Sequence, residues 1–152
     1  MIRTAGHGDI AVLAELFKEL HEHHVRLNPK TFRMPPDNYF TERMTGLVND
    51  EGMTVFVHCG SGIDGYAAVK IMDVDTEEKI PRRMCYIDCF AVSEGSRRQG
   101  AGTELFSAVK EFARETDCNT VQLGVSADNR GAVEFYNKMG LTPRTIQMQL
   151  YL

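Results

Sequence analysis

The spacing of apolar residues divides the chain into helical and strand-like segments. Apolar side chains recur at three- and four-residue steps after Asp9, over residues 39–48, over 102–116 and before Gly140, which predicts four amphipathic helices. Asp9 is a candidate N-cap and Gly140 a candidate C-terminal stop. Short apolar runs rich in β-branched and aromatic residues predict strands. The predicted strands cover residues 2–4, 53–58, 66–72, 84–92, 120–125 and 146–152.

The order of these elements predicts the class of fold. One strand and two helices come first, a meander of strands follows, and helices and strands then alternate to the end of the chain. We therefore predict an α+β fold with a mixed, mostly antiparallel central sheet flanked by helices. One parallel strand pair in it is joined by a right-handed crossover helix over residues 102–116. The strand over 84–92 is apolar except at Asp88, and such a long apolar run is typical of a strand buried on both faces.

Three segments interrupt the periodic pattern. The stretch from Asn28 to Pro36 holds three prolines, which predicts a loop that could border a substrate pocket. Three glycines in the segment 59–65 predict the turn of a hairpin. Residues 73–81 are polar and acidic, and we expect a second loop there.

Length and charge narrow the classes of function. The chain has 152 residues, which fits one domain spanning residues 1–152, and its formal net charge is −4. Surfaces that bind nucleic acid are strongly basic, so no nucleic-acid partner is expected. No apolar run approaches the ~20 residues needed to cross a bilayer, and the first residues lack the apolar core of a secretion signal. We expect a cytoplasmic protein without a membrane partner.

The cysteines and histidines give no metal-binding pattern. None of the four cysteines has CxxC spacing, and we predict reduced, mostly buried thiols. They are Cys59, Cys85, Cys89 and Cys118. His21 and His24 could share one helical face as metal ligands, but no carboxylate or further histidine follows at suitable spacing. A solvated helix end is the favoured interpretation, and no metal is predicted.

The segment from Val92 to Gly102 has the composition of an anion-binding loop. It links a buried strand directly to an amphipathic helix, and Gly100 and Gly102 allow several backbone N–H groups to converge at the helix N-terminus. Arg97 and Arg98 add two positive charges, so a diphosphate is the expected guest. The alternative is a glycine-rich helix entry that binds nothing.

Two other phosphate motifs can be excluded. Gly95 and Gly100 have the spacing of a Walker A loop, but Ala101 stands where its lysine is required. The dinucleotide fingerprint would need a third glycine after Gly100 and Gly102, where the chain has Leu105. The loop therefore belongs to neither class.

The loop instead resembles a known signature. Arg97-x-x-Gly100-x-Gly102, between a strand and a helix, resembles the acyl-CoA pyrophosphate signature of the GNAT superfamily of acetyltransferases. Glu94 and Ser96 depart from the proline and aromatic residue that the family often has there. Neither departure affects the expected phosphate contacts.

A second motif supports the resemblance. It is similar to the other conserved run of that superfamily, with Leu141 in place of a phenylalanine. The matching run reads Asn129-x-x-Ala132-x-x-Phe135-Tyr136-x-Lys138-x-Gly140-Leu141. Because the predicted element order also resembles that of the family, the likeness covers essentially the whole chain.

The resemblance implies a site for acetyl-CoA in the gap where the parallel strands splay apart. Backbone groups at the end of the strand over 84–92 would pair with the pantetheine arm, and the glycine loop would hold the pyrophosphate. The resemblance assigns cofactor binding to Phe90, Ala91, Val92, Arg97, Arg98, Gln99, Gly100, Ala101, Gly102, Thr103, Asn129 and Lys138. No metal takes part.

Two residues are candidates for catalysis. The resemblance implies that Tyr136 protonates the departing thiolate, and a phenol with its ordinary pKa of about 10 is a neutral donor at pH 7. The alternative is a core aromatic residue. Asn129 lies seven residues earlier, so we expect both to face one cleft. Asp88 interrupts an apolar strand and is the candidate base; the alternative is a carboxylate paired with Arg82, Arg83 or a backbone donor.

The expected activity is transfer of the acetyl group of acetyl-CoA to a primary amine by direct attack in a ternary complex, so neither Cys85 nor Cys89 is needed as a nucleophile. The acceptor is expected to be a small amine-containing molecule. The alternatives are a non-catalytic acyl-CoA sensor or assembly module, and an enzyme acting on a peptide or protein amine. Acidic residues over 73–78 give a weak indication of a cationic acceptor, and a solvated loop is the simpler interpretation. The family likeness also makes a homodimer an expectation.

Overall fold

The computed structural model describes residues 1–152, and its strands form one mixed sheet. The strands are β1 (Ile2–Thr4), β2 (Met53–Cys59), β3 (Ile63–Thr76), β4 (Lys79–Val92) and β5 (Thr120–Leu123). The helices are α1 (Ile10–Leu27), α2 (Asn38–Asn49), α3 (Ala101–Glu115) and α4 (Arg130–Lys138). Short 3-10 turns cover His7–Asp9 and Glu94–Ser96. None of the helices combines the length and apolar character that crossing a membrane requires.

The strands follow one another across the sheet in chain order. The pairs β1–β2, β2–β3 and β3–β4 are antiparallel, and β4 and β5 are parallel. Parallel neighbours need a long crossover connection, which here contains α3. The predicted α+β class, with a mostly antiparallel sheet and one parallel pair, is confirmed.

Apolar side chains on the two faces of the sheet form two separate cores. On one face, α1 and α2 cover the sheet with the apolar stripes that their sequences predict. Tyr66 of β3 is fully buried in this first core, beside Leu13 of α1 and Phe40 of α2. On the other face α3 packs Leu105 and Phe106 against β3 and β4. Side chains of α4 pack against this second core.

The acidic segment at residues 73–81 is the end of a hairpin, so the predicted loop is wrong. Thr76 of β3 pairs with Lys79 of β4, which leaves a two-residue turn, and Arg83 bonds across the strands to Asp73 at 2.8 Å. Most side chains of this part of the hairpin are exposed. Because neither face is buried here, the strands carry no apolar alternation, and the sequence has a loop-like composition.

The predicted C-terminal strand over 146–152 is also wrong for the isolated chain. Residues from 141 onward belong to no helix or strand, and none of residues 142–152 makes a backbone–backbone hydrogen bond. The alternating apolar pattern is present in the sequence. The strand does not form because no neighbouring strand in the chain pairs with it.

Candidate active site

A cleft begins where β4 separates from β5. The parallel pairing involves only Met84–Ile87 of β4, opposite Thr120–Leu123. Beyond Ile87, β4 continues to Val92 and is held by β3 alone. One edge of this part of β4 is therefore free to hydrogen bond to a ligand. The backbone groups of Phe90, Ala91 and Val92, predicted to bind the pantetheine arm, lie on this part.

A β-bulge marks the point of separation. Ala68 of β3 faces Cys89, but the next residue, Val69, faces Ile87, so Asp88 is an additional residue in β4. The bulge changes which side chains face each core. Ile87 and Phe90 both pack on the α3 side, whereas Cys89 packs on the α1 side. Asp88 is thereby placed at the start of the open part of β4.

Asp88 forms an ion pair that sequence analysis did not identify. Its Oδ2 accepts a hydrogen bond from the Arg43 guanidinium of α2 at 2.8 Å, and its side chain keeps 21% of its exposure. The predicted partners Arg82 and Arg83 are wrong. Arg83 is paired with Asp73 instead, at the other end of the strand. Arg43 carries no local signal in the sequence, because the contact joins residues 45 positions apart.

The glycine loop ends at an uncapped helix N-terminus. Gly100 is the N-cap of α3 with φ +98°, a left-handed conformation that favours glycine, and no side chain caps the helix. The first N–H groups of α3, at Ala101, Gly102 and Thr103, have no partner within the helix. A Cβ at Gly102 would stand 3.3 Å from the ring of Phe135, so glycine allows α4 to approach closely. This arrangement fits an anionic diphosphate.

The side chain of Glu19, on α1, binds the glycine loop. Its Oε1 accepts a hydrogen bond from the backbone N–H of Glu94 at 2.6 Å and lies 3.8 Å from the Arg97 guanidinium. Arg97 Nε also donates to the carbonyl oxygen of Val92 at 3.2 Å, so this side chain lies along the backbone of its own loop. Arg98 is exposed and forms no ion pair. It is thus the more available charge for a ligand phosphate.

A hydrogen bond within the glycine loop also stabilises its conformation. Gln99 Nε2 donates to the carbonyl oxygen of Gly95 at 2.8 Å, so the predicted contribution of this side chain is internal to the loop. Arg98 has a positive φ of 62°, which is uncommon for a residue with a side chain. These features preorganise the turn that leads into α3.

A buried histidine fixes the start of α3 against the sheet. His58 of β2 is the only buried polar or charged residue. Its Nδ1 lies 2.5 Å from Asp64 Oδ1, and its Nε2 lies 3.3 Å from Glu104 Oε2, in the first turn of α3. The backbone oxygen of Asp64 accepts from the N–H of Ser93, at the start of the glycine loop. The start of the loop is therefore bonded to β3, and the helix that follows the loop contacts β2.

Tyr136 lies against the open part of β4. Its ring centroid is 6.1 Å from that of Phe90 and 5.3 Å from that of Phe135. Burial raises the pKa of Tyr136 above its ordinary value, and the nearby Cys89 thiol adds to the effect. No hydrogen bond in the protein uses its hydroxyl, yet no buried side-chain polar atom lacks a partner, so the hydroxyl reaches solvent. Tyr136 is thus a neutral phenol beside Phe90 whose hydroxyl keeps some contact with solvent.

Comparison with known proteins assigns the family. The model of the Acetyltransferase (GNAT) family matches residues 17–141. The chain belongs to the GNAT family of acetyltransferases. The match includes the glycine loop, the free part of β4 and all of α4.

Individual proteins are similar to this GNAT chain in fold or in sequence. The crystal structure of the tetramutant of BH1408 from Bacillus halodurans has a TM-score of 0.94 and 26% identity, covering 100% of this chain and 99% of that one. AAC(6')-Iy, in complex with the bisubstrate analog CoA-S-monomethyl-acetylneamine, shares the fold with a TM-score of 0.74 and 17% identity, covering 100% and 98%. The "Uncharacterized N-acetyltransferase MJ1207" of Methanocaldococcus jannaschii is 29% identical over 82 residues, 54% of this chain. The chain spans about a third of that relative, as the match covers 35% of its length.

One expectation drawn from the second GNAT motif is corrected by the structure. Asn129 is the residue before α4 and not part of the helix, with φ −86° and ψ 72°. Its Oδ1 caps the helix by accepting from the N–H of Ala132 at 3.2 Å. The seven-residue spacing to Tyr136 therefore does not place the two side chains on one helical face. Lys138, the last residue of α4, is exposed.

The histidines of α1 are not a solvated helix end in this GNAT chain. His21 Nε2 lies 2.7 Å from the carbonyl oxygen of Arg33, and its ring packs on Phe40 and Phe32. Burial, with the charges of nearby histidines, lowers the pKa of His24. The histidines hold the proline-rich loop against the first core. The thiols are free, but only Cys85 is fully buried.

Proposed function

We propose that this protein is an acetyl-CoA-dependent N-acetyltransferase that acts on the primary amine of a small molecule. The observation that carries the proposal is the position of Tyr136. A neutral phenol with no partner in the protein lies beside Phe90, on the part of β4 where a thioester is expected, and the neighbouring Phe135 lies against Gly102 of the glycine loop. A module that only bound acyl-CoA would need the loop but not this donor.

The residues around the cleft are suited to hold acetyl-CoA, which would bring the acetyl group as a thioester. Loop N–H groups from Arg98 to Thr103 form a cradle for the pyrophosphate, and the exposed Arg98 adds a full charge. Backbone groups of Phe90 and Val92 can pair with the pantetheine arm. A backbone N–H on this free edge can also stabilise the negative charge that develops on the carbonyl oxygen.

Asp88 is the proposed base. Because Arg43 pairs with it, the carboxylate is held in one place, where it can accept a hydrogen bond from an ammonium group. In the proposed reaction the amine nitrogen forms a bond to the acetyl carbon, and the carbon–sulfur bond breaks. The ammonium loses two protons in total. One leaves through Asp88 to solvent, and Tyr136 protonates the thiolate and regains the other proton.

The proposed acceptor site has one carboxylate at the position of the base. Asp88 is a single carboxylate and matches one ammonium group. The acidic residues over 73–78 surround a hairpin turn that lies ~30 Å from Asp88 along β4, at nine residues and ~3.3 Å each. They are thus not suited to extend the acceptor site, and the weak sequence indication of a cationic acceptor is not carried into the proposal.

The competing proposal is a non-catalytic acyl-CoA sensor. It is favoured by one observation: Asp88 already has a partner in Arg43, so its carboxylate is not free in the isolated chain. Under this alternative the ion pair is purely structural. An acceptor amine would then have no base beside the thioester.

The experiment is a titration with acetyl-CoA by calorimetry, followed by an assay of free thiol release with panels of polyamines, aminoglycosides, amino acids and peptides. Binding followed by amine-dependent thiol release supports the enzyme, and the responding panel identifies the acceptor class. Release with peptides alone would contradict the small-molecule assignment. Binding without release from any panel favours the sensor. Absence of binding would refute both.

A further inference from the structure

His58 of β2 has a carboxylate beside each of its two ring nitrogens. Nδ1 lies 2.5 Å from Oδ1 of Asp64, and Nε2 lies 3.3 Å from Oε2 of Glu104. His58 is only 8% exposed, and the Asp64 side chain keeps 21% of its exposure. Charges that are shielded from water interact more strongly than charges at the surface, so the protonation state of this ring affects both contacts.

The arrangement of the two carboxylates fits a protonated ring. An ionised carboxylate has only acceptor oxygens, whereas a neutral imidazole has one N–H and one lone pair. With the N–H directed at Asp64, the closer partner, a neutral ring would turn the Nε2 lone pair toward the oxygen of Glu104. The imidazolium has an N–H on both nitrogens and a full positive charge. The contact with Glu104 is therefore the one that depends on the second proton.

The two carboxylates belong to residues at opposite ends of the glycine loop. The backbone oxygen of Asp64 accepts a hydrogen bond at 2.8 Å from the N–H of Ser93, the first residue after β4. Glu104 directly follows Thr103, whose N–H is among the free donors at the start of α3. One imidazole thus connects, through its two partners, the beginning of the loop and the first turn of the helix after it.

One other ionisable group faces this cluster. The residues paired with His58 in the sheet are Ile2 on β1 and Gly65 on β3, and neither can ionise. The N-terminal amino group of Met1 lies 3.6 Å from Glu104 Oε2, and these two groups are 78% and 57% exposed. An exposed pair of this kind interacts weakly, so His58 is the main cation beside Glu104.

We propose that His58 is a positioning residue for coenzyme binding: its imidazolium pairs with Glu104 and holds the first turn of α3 where it receives the pyrophosphate. The inference rests on the proposed function, in which the glycine loop and this turn bind that group. When the ring loses its second proton, Glu104 is no longer held against β2, and its charge repels a diphosphate bound at the same helix end. Affinity for coenzyme A should therefore be highest with the ring protonated and fall as the pH rises.

The test measures the dissociation constant of coenzyme A by calorimetry between about pH 5 and 8, the range in which histidines ionise. Glu104→Gln is the reference variant, because an amide has no charge and can face either form of the ring. The side chain is 57% exposed, so the variant should keep the wild-type circular dichroism. The wild-type dissociation constant divided by that of Glu104→Gln should rise about three- to tenfold over this range. Ionisation of the coenzyme's own phosphate is common to both and cancels in the ratio.

The same coupling predicts proton uptake on binding. If the protonated ring favours the coenzyme, the coenzyme favours protonation of the ring to the same extent. Calorimetry in two buffers with different ionisation enthalpies should therefore show greater proton uptake by the wild type than by Glu104→Gln. The matched control is Glu111→Gln, since Glu111 is an exposed glutamate of the same helix that pairs with Arg114. This control should behave as the wild type does.

His58→Gln separates the ring from the amino group of Met1. Its dissociation constant, divided by that of Glu104→Gln, should not change with pH, and a ratio that still rises would assign the proton to Met1 and overturn the proposal. A constant ratio for the wild type, equal proton uptake in wild type and Glu104→Gln, or a control that behaves like Glu104→Gln would each overturn it as well. Absence of coenzyme A binding by the wild type at every pH would refute the proposed function itself, and this inference with it.

Discussion

Replacing Tyr136 with phenylalanine isolates the proposed acid, because it removes one oxygen atom and keeps the ring. The ring contacts with Phe90 and Phe135 remain, and the hydroxyl has no partner in the protein to leave unpaired. The free energy of unfolding should therefore change by less than ~0.5 kcal/mol. A general acid contributes ~10²- to 10⁴-fold to the rate, so kcat should fall by that factor, equivalent to about 2.7–5.4 kcal/mol in the barrier.

The assay follows thiol release at saturating acetyl-CoA and acceptor, with calorimetry for the affinity of coenzyme A, which should not change. Tyr86→Phe is the matched control, since it removes a hydroxyl from the part of β4 that is still paired with β5. Because burial raises the pKa of Tyr136, the acid stays protonated through the neutral range, and its ionisation should not limit kcat below pH 10. Equal kcat in wild type and Tyr136→Phe would refute the assignment, and an equal loss in Tyr86→Phe would show that the effect is not local.

Three other predictions concern the base, the loop and the buried thiol. Asp88→Asn should lower kcat ~100-fold or more with unchanged affinity for acetyl-CoA, measured by the same assays; unchanged kcat would exclude Asp88 as the base. Arg97→Glu with Arg98→Glu should raise the dissociation constant of coenzyme A at least ~tenfold in calorimetry, and unchanged affinity would place the pyrophosphate elsewhere. Burial raises the pKa of Cys85 from 9.0 to about 11, so only the unfolded thiol ionises between these values, and the free energy of unfolding should fall over that pH range. Denaturant titrations of wild type and Cys85→Ala should differ in this slope, and the difference should disappear as the pH falls well below 9.

The features predicted well are those set by neighbours along the chain. The entry into α3 follows from Gly100 and the apolar stripe after it, and both are local. The contacts of Glu19 with Glu94 and of Arg43 with Asp88 join residues 75 and 45 positions apart, so no local pattern indicates them. The prediction that Asn129 and Tyr136 share one helical face failed for a related reason. Its role depends on where α4 begins, and the spacing to Tyr136 is the same for a residue inside the helix and for its cap.

The C-terminal segment, residues 142–152, shows that apolar alternation and strand pairing are separate properties of a sequence. Alternation from Ile146 to Leu152 is the pattern of a strand with one apolar face, but it does not say which strand provides the hydrogen bonds, and these apolar side chains are exposed in the structure. The hairpin around Glu77 is the opposite case. Its strands are paired on the backbone and exposed on both faces, so pairing occurs without alternation. Periodicity thus describes the two faces of a strand, and pairing has to be inferred from the topology.

The bulge at Asp88 places the proposed base, the proposed acid and the expected cofactor edge relative to one another through one added residue. In a regular strand, side chains alternate, so Ile87 and Cys89 would share a face and Phe90 would lie opposite them. With Asp88 added, Phe90 shares the face of Ile87 and meets Tyr136, while Cys89 turns to the first core and bonds to the Tyr66 hydroxyl. The apolar run from Met84 to Val92 tolerates either register because both faces are buried. The proposed chemistry requires the bulged register, because only that register places Phe90 beside Tyr136.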